Sequence, residues 1–77
     1  MRRPTLQQSV EEAVNEYLDI MEDQPVRDLY EMVISQVEPS LLNCVKKHNR
    51  DNQSQMAIML GINRATLRKK LRKYRLL

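Results

Sequence analysis

The stretch NQSQMAIMLGINRATLRKKLRKY, residues 52–74, decides how this chain folds. It holds two short helical patterns on either side of a single glycine. The first covers residues 53–60, with Asn52 placed to cap it and Gln55 three residues further on. The second opens after Gly61-Ile62-Asn63, with Asn63 as its cap, and runs to about residue 73 or 74. Gly61 can take the positive φ that a sharp turn after a helix demands. Ala57 is small where the second helix must cross close to the first. Met56, Leu60, Ile62, Leu67 and Leu71 supply apolar glue. Two helices joined by a tight, glycine-containing turn are the sequence form of a helix-turn-helix.

The second helix is also the most charged part of the chain. Residues 61–75 carry seven positive side chains, Arg64, Arg68, Lys69, Lys70, Arg72, Lys73 and Arg75, and no negative one. A plain run of like charges repels itself and stays disordered. Here Ile62, Leu67, Leu71 and Tyr74 are threaded through the run. On a helix, Arg64, Arg68 and Arg72 fall one turn apart in one row, with Lys69 and Lys73 in the next, while Leu67, Leu71 and Tyr74 point back into the protein. An arginine fork at the helix start suits guanine O6 and N7 in the major groove. The later cations suit phosphates along the groove walls. That is the design of a recognition helix. Asn63 has two candidate jobs, capping the helix through Ala65 or Thr66 or contacting a base edge. Asn52, Gln53 and Ser54 are candidates either for capping or for phosphate contact at a helix start.

Outward from this stretch, the 77 residues make one small domain, 42% apolar and 30% charged. One glycine, three prolines and no Phe or Trp argue against a sheet. Residues 6–21 place Leu6, Val10, Val14, Tyr17, Leu18 and Met21 on one helical stripe, opened by a capping box of Thr5 and Gln8. The loop EDQP follows. Residues from 26 or 28 to 48 form a second helical segment, apolar on more than one side through Leu29, Met32, Val33, Ile34, Val37, Leu41, Leu42, Cys44 and Val45. Such a helix belongs in the middle of something. With so few short helices to cover it, a second protomer is the expected cover. Pro39 inside it favours one kinked helix over two.

Charge divides the chain sharply. Residues 1–45 carry Arg2, Arg3 and Arg27 against nine acids, whereas residues 46–77 carry ten positives against Asp51 alone. Such asymmetry points to a polyanionic partner for the second half. Enzyme chemistry is not expected. His48 has no partner at triad or metal spacing and reads as a helix-end residue. Cys44 reads as a small buried hydrophobe, the five methionines as core filler, and Glu11, Glu12 and Glu16 as a solvated face. One Cys and one His build no metal cluster, and no cofactor or small-molecule substrate is implied. No apolar run approaches ~18 residues, and MRRPTLQQ lacks the apolar stretch of a secretory signal, so the chain reads as cytosolic.

The segment DLYEMVISQVEPSLLNCVKKHNRDNQSQMAIMLGINRATLRKKLRKY resembles the Fis (factor for inversion stimulation) family of bacterial nucleoid proteins, and the resemblance extends over about residues 6–74. The specific core is NQ followed by LGINRxTLRKKLxKY. The resemblance implies a homodimer of four-helix subunits with the first two helices interlocked. Its recognition helices would lie closer together than one turn of straight DNA, so that the duplex must bend. Specificity would rest on outer guanines and a deformable A/T-rich centre. Carried over by position, Asn63 and Arg64 look like the base-contacting pair. Thr66, Arg68, Lys69, Arg72 and Lys73 would hold the backbone, with Asn52, Gln53 and Ser54 touching phosphates. Lys70 is conditional, because it lies beside the core face. Asp51 and Ala65 stand where close relatives commonly carry glycine, and Pro39 lies one residue earlier than the family's usual proline. Five residues precede the first segment, too few for the N-terminal arm with which family members stimulate DNA invertases, so that activity is not expected.

The reading is therefore an all-α, four-helix subunit in an intertwined homodimer. Residues 1–49 dimerise, with the second helix kinked near Pro39, and residues 50–77 form the helix-turn-helix. Tyr30, Val33, Ile34, Val37 and Leu41 are assigned to the dimer interface. The expected function is binding and bending of double-stranded DNA in the bacterial nucleoid, with regulation of transcription and RNA polymerase as a further candidate partner. The alternatives are a DNA-binding fragment of an enhancer-binding activator, an RNA-binding module and a protein-interaction domain. A basic helix lying on an anionic membrane is the remaining rival, and it lacks Trp and Phe anchors.

Overall fold

The computed structural model describes residues 3–77; Met1 and Arg2, one of the N-terminal positives counted above, lie outside the described residues. Four helices follow one another: α1 Leu6–Ile20, α2 Leu29–His48, α3 Gln53–Leu60 and α4 Arg64–Lys73. No strand occurs among the described residues, and none of their helices is long and apolar enough to cross a membrane. The all-α expectation holds. Two units divide the chain, one up to Val33 and one from Ile34 to Leu77.

In the first unit, α1 opens as its sequence requires. The Thr5 hydroxyl accepts from the Gln8 amide at 3.1 Å, and the Gln8 side-chain oxygen accepts from the Thr5 amide at 2.8 Å. Two orphan N–H groups are thereby satisfied reciprocally. The apolar stripe is present, yet α1 has no buried residue: Leu6 is 79% exposed and Ile20 75%. Asp28 sits at φ 55°, outside the right-handed helical region, so α2 begins at Leu29.

The second unit contains the core. Leu42 and Val45 of α2, Met56 and Ala57 of α3, and Leu67 and Leu71 of α4 are buried, with Leu60, Ile62, Tyr74 and Leu76 packed around them. Every residue assigned as glue between α3 and α4 is in this cluster. At roughly 1.5–3 kcal/mol for each fully buried large apolar side chain, the cluster is the main favourable term for the unit. Pro39 does not divide the segment, and α2 runs through it as one helix. The Ser40 hydroxyl donates to the Gln36 carbonyl at 2.7 Å beside it. Two expectations are corrected. Cys44 is exposed, because its turn of α2 turns Leu42 and Val45 inward instead. Among the described methionines only Met56 is buried, while Met59 is 52% exposed and Met21 and Met32 are half-buried, so they are not uniformly core filler.

Left-handed residues stop three helices. After α3, Gly61 lies at φ 72°, its amide donates to Ile58 O at 3.2 Å, and the Ile62 amide donates to Ala57 O at 3.1 Å. This is the Schellman pattern. The same pattern ends α2 at Arg50 (φ 50°), with Asp51 N–H donating to Lys46 O at 3.0 Å, and ends α4 at Arg75 (φ 57°), with Leu76 N–H donating to Leu71 O at 2.8 Å. Asp51 is itself left-handed at φ 64°, which is a physical reason for glycine to be favoured there. Its carboxylate lies 3.6 Å from the Lys46 ammonium.

Leu67 is 0% exposed and Ile58 73%, which separates core from surface. Leu67→Ala is expected to cost ~2–5 kcal/mol, and Ile58→Ala to stay within about 0.5 kcal/mol of the parent. Urea unfolding at fixed protein concentration measures both, and equal effects would contradict this placement of the core.

Candidate nucleic-acid interface

Helix α4 is built from a cap, a buried edge and a charged edge. Asn63 adopts an extended backbone (φ −73°, ψ 147°), and its side-chain oxygen accepts from Ala65 N at 2.7 Å and Thr66 N at 3.3 Å. Capping thus occupies the oxygen, and the amide N–H groups are the part of Asn63 left to meet a partner. Behind the cap, Leu67 and Leu71 are buried; in front, Arg64, Thr66, Arg68, Lys69, Arg72 and Lys73 are all exposed. The helical wheel drawn from the sequence is the wheel of the structure.

The start of α3 joins this surface through one bond. Arg68 Nη1 donates to Gln53 Oε1 at 3.0 Å, tying the middle of α4 to the first residue of α3. Asn52 caps α3, its oxygen accepting from the Gln55 amide at 3.1 Å, and Ser54 is exposed in the first turn. Among the residues named for backbone contact, Gln53 and Arg68 are therefore held together before any partner arrives.

The structure also contains a constellation that sequence reasoning missed. Glu38 Oε2 accepts from Lys70 Nζ at 2.9 Å, and Glu38 Oε1 accepts from the Tyr74 hydroxyl at 2.7 Å. The Glu38 and Lys70 side chains are 23% and 35% exposed. Lys73 Nζ lies 5.4 Å from the Tyr74 ring centroid, within cation–π range. Lys70 thus faces α2 instead of the open basic face. A signal was available: Glu38 is the lone acid in residues 32–50. The bonds from Lys70, then from Tyr74, hold the Glu38 carboxyl below its usual range, with partial burial opposing them. Donation to the carboxylate, reinforced by burial, raises the Tyr74 phenol.

The residues assigned to the dimer interface are covered only in part. In the first unit Tyr30 is 78% exposed and Val33 half-buried; in the second Ile34 is half-buried, Val37 43% exposed and Leu41 51% exposed. No group of three His, Cys, Asp or Glu placed to hold a metal occurs among the described residues.

A family description, "Bacterial regulatory protein, Fis family", matches residues 47–74. The chain is 49% identical over 74 residues to a protein of Tolumonas auensis named DNA-binding protein Fis, covering 96% of this chain and 74% of that protein. Similar relatives of the same name occur in Aeromonas hydrophila, 48% identical over 73 residues (95% and 74% covered), and in Escherichia coli, 49% identical over 69 (90% and 70%). This chain belongs to the Fis family. The matched Fis-family span takes in all of α3 and α4, and so every residue named for base or backbone contact. Glu38 lies outside it, yet holds two residues inside it.

The Glu38 group sets a pH window. A carboxylate whose pKa is lowered on folding stabilises above its ordinary value, about 4.3, and loses that contribution as pH falls through the lowered one. Tyr74, being raised, contributes below about 10 and loses it as pH rises through the folded value. Glu38→Gln is therefore expected to be less stable than the parent at pH 7, with the difference shrinking once pH drops below about 4. Urea unfolding at pH 7, 5 and 3 checks this; a difference that persists undiminished at pH 3 rules out the ionised carboxylate as its source.

Proposed function

We propose that this Fis-family chain binds double-stranded DNA as a homodimer, bends it, and regulates transcription as an architectural component of the bacterial nucleoid. The observation that carries the reading is the two-sided build of α4, with Leu67 and Leu71 buried and six polar or cationic side chains exposed along the opposite face. A helix about 10–12 Å across with its side chains fits the major groove of B-form DNA, about 12 Å wide.

Arg64, in the first turn, is the residue for bidentate contact with guanine O6 and N7. Asn63 joins it as a donor only, since its oxygen is committed to the cap, and so suits a purine N7 or O6 acceptor. Thr66, Arg68, Lys69, Arg72 and Lys73 meet the phosphates from α4, and Asn52, Gln53 and Ser54 from the start of α3. Arg68 and Gln53 act as one preformed fork. The protein is a binder with no catalytic step.

Dimerisation follows from uncovered apolar surface. Within the second unit, Ile34, Val37, Leu41 and Cys44 recur at gaps of three and four along α2, the spacing of a helix–helix seam. Tyr30 and Val33 extend the apolar set from the first unit, and the incompletely covered stripe of α1 adds to the demand for cover. Two recognition helices in one dimer then read flanking guanines across an A/T-rich centre whose deformability contributes to selectivity. Contacts with RNA polymerase at promoters are the natural route from bending to regulation.

Circular-permutation gel shifts on A/T-centred duplexes, with molecular mass measured in parallel, test the whole reading. Position-dependent mobility and twice the chain mass are expected; a single chain at micromolar concentration would end the dimer proposal. Arg64→Ala is expected to cost ~1–3 kcal/mol on the preferred duplex and to relax preference at one base position. An equal loss on every sequence would argue against base readout. Lys73→Ala is expected to weaken all duplexes alike and to flatten the salt dependence by ~1. An unaltered slope would remove Lys73 from the phosphate contacts.

A further inference from the structure

The apolar anchors of α4 hold it down without aiming it. Leu67 and Leu71 lie on one edge of the helix, and apolar contact is non-directional, so a modest roll about the helix axis keeps both buried. Base readout tolerates far less, since a binding constellation must be held within about 10–20° of its working geometry. Something directional has to set the roll.

Directional bonds reach α4 from other elements at two levels. Arg68 to Gln53 is exposed on the outer face and is composed of residues that would themselves meet DNA. The other is the Glu38 carboxylate, which takes one bond on each oxygen from residues a helical turn apart, Lys70 and Tyr74. Two bonds to separate oxygens constrain both rotation and axial slip, because hydrogen bonds weaken steeply off line. The group is charge-assisted and partly buried, which makes it stiffer than a solvated surface pair. Lys73 stacks on the Tyr74 ring from the open face. On the α2 side, Glu38 directly follows Val37 and lies three residues before Leu41, both exposed apolar residues.

We propose that Glu38 is a positioning residue for DNA recognition. Through Lys70 and Tyr74 it sets the roll of α4 relative to α2, and so aims Arg64 and Asn63 at the bases. In doing so it withdraws Lys70 from the phosphate-contacting set. The proposal rests on the reading that α4 enters the major groove. It adds a residue outside the helix-turn-helix that governs specificity without touching DNA, and it links the proposed dimer seam on α2 to the reading helix.

The test uses the whole chain and two duplexes, the preferred site and the same site with the base pair under Arg64 exchanged, titrated across a salt series. Glu38→Gln and Lys70→Met should each lower the affinity ratio between the duplexes roughly fivefold or more, toward the limit set by losing one bidentate contact. Tyr74→Phe, which leaves the ion pair in place, should lower it less. Lys70→Met should leave the salt slope at the parent's value, unlike Lys73→Ala. Combining Glu38→Lys with Lys70→Glu should recover a ratio that either change alone loses. A variant that merely unfolds loses apparent affinity on both duplexes equally, so the ratio isolates aiming from stability. The proposal is overturned if the ratio is unchanged in Glu38→Gln, Lys70→Met and Tyr74→Phe. It is also overturned if Lys70→Met flattens the slope by about one with the ratio intact, since Lys70 is then a phosphate contact. A parent chain that discriminates between the duplexes while these variants do too overturns this inference alone; a parent that binds neither overturns the DNA-binding reading with it.

Discussion

The burial of Leu67 and Leu71 is the interaction on which the rest of the second unit depends. Helix α4 has ten residues, six of them cationic. Like charges one turn apart oppose helix formation by roughly 0.2–0.5 kcal/mol per pair, and Arg64, Arg68, Arg72 and the row of Lys69 and Lys73 accumulate several such pairs. Two fully buried leucines, at roughly 1.5–3 kcal/mol each, outweigh that repulsion. Because only one edge of the helix is apolar, the same packing that makes it a helix forces its charge outward. A functional face appears here as a by-product of how the core is formed.

Caps and polar bonds then convert an ordered helix into an oriented one. Asn63 starts it, Gly61 sets the turn before it, and Arg75 ends it in a left-handed conformation. Gln53 and Glu38 hold it from two neighbouring elements through Arg68, Lys70 and Tyr74. Nonpolar contacts supply most of the free energy and these polar ones supply direction. Their share of stability is smaller, since a net hydrogen bond contributes about 1 kcal/mol, but their share of specificity follows from geometry.

The exposed apolar residues carry a second lesson. Leu6, Ile20, Tyr30, Val37 and Leu41 leave apolar surface in water that a chain of this size has no spare element to cover. A small domain in that position gains most from a second copy of itself. The two functions proposed here, pairing and reading, thus fall to opposite properties of the chain, its uncovered apolar side chains and its uncovered charge.

Much of this was legible from residues alone. The capping box at Thr5, the caps at Asn52 and Asn63, the turn at Gly61 and the α3 and α4 share of the core all follow from local rules: periodicity, cap chemistry and the freedom of glycine act over a few residues and leave a direct imprint in the order of side chains. What tertiary structure alone decided is which distant groups meet. That Cys44 stays outside the core of its own unit, that Gln53 grips Arg68, and that Glu38 takes Lys70 and Tyr74 across 32 and 36 positions depends on the crossing of α2, α3 and α4. A helical wheel places a residue on a face of its own helix, but it carries no information about which side chain another helix brings to that face.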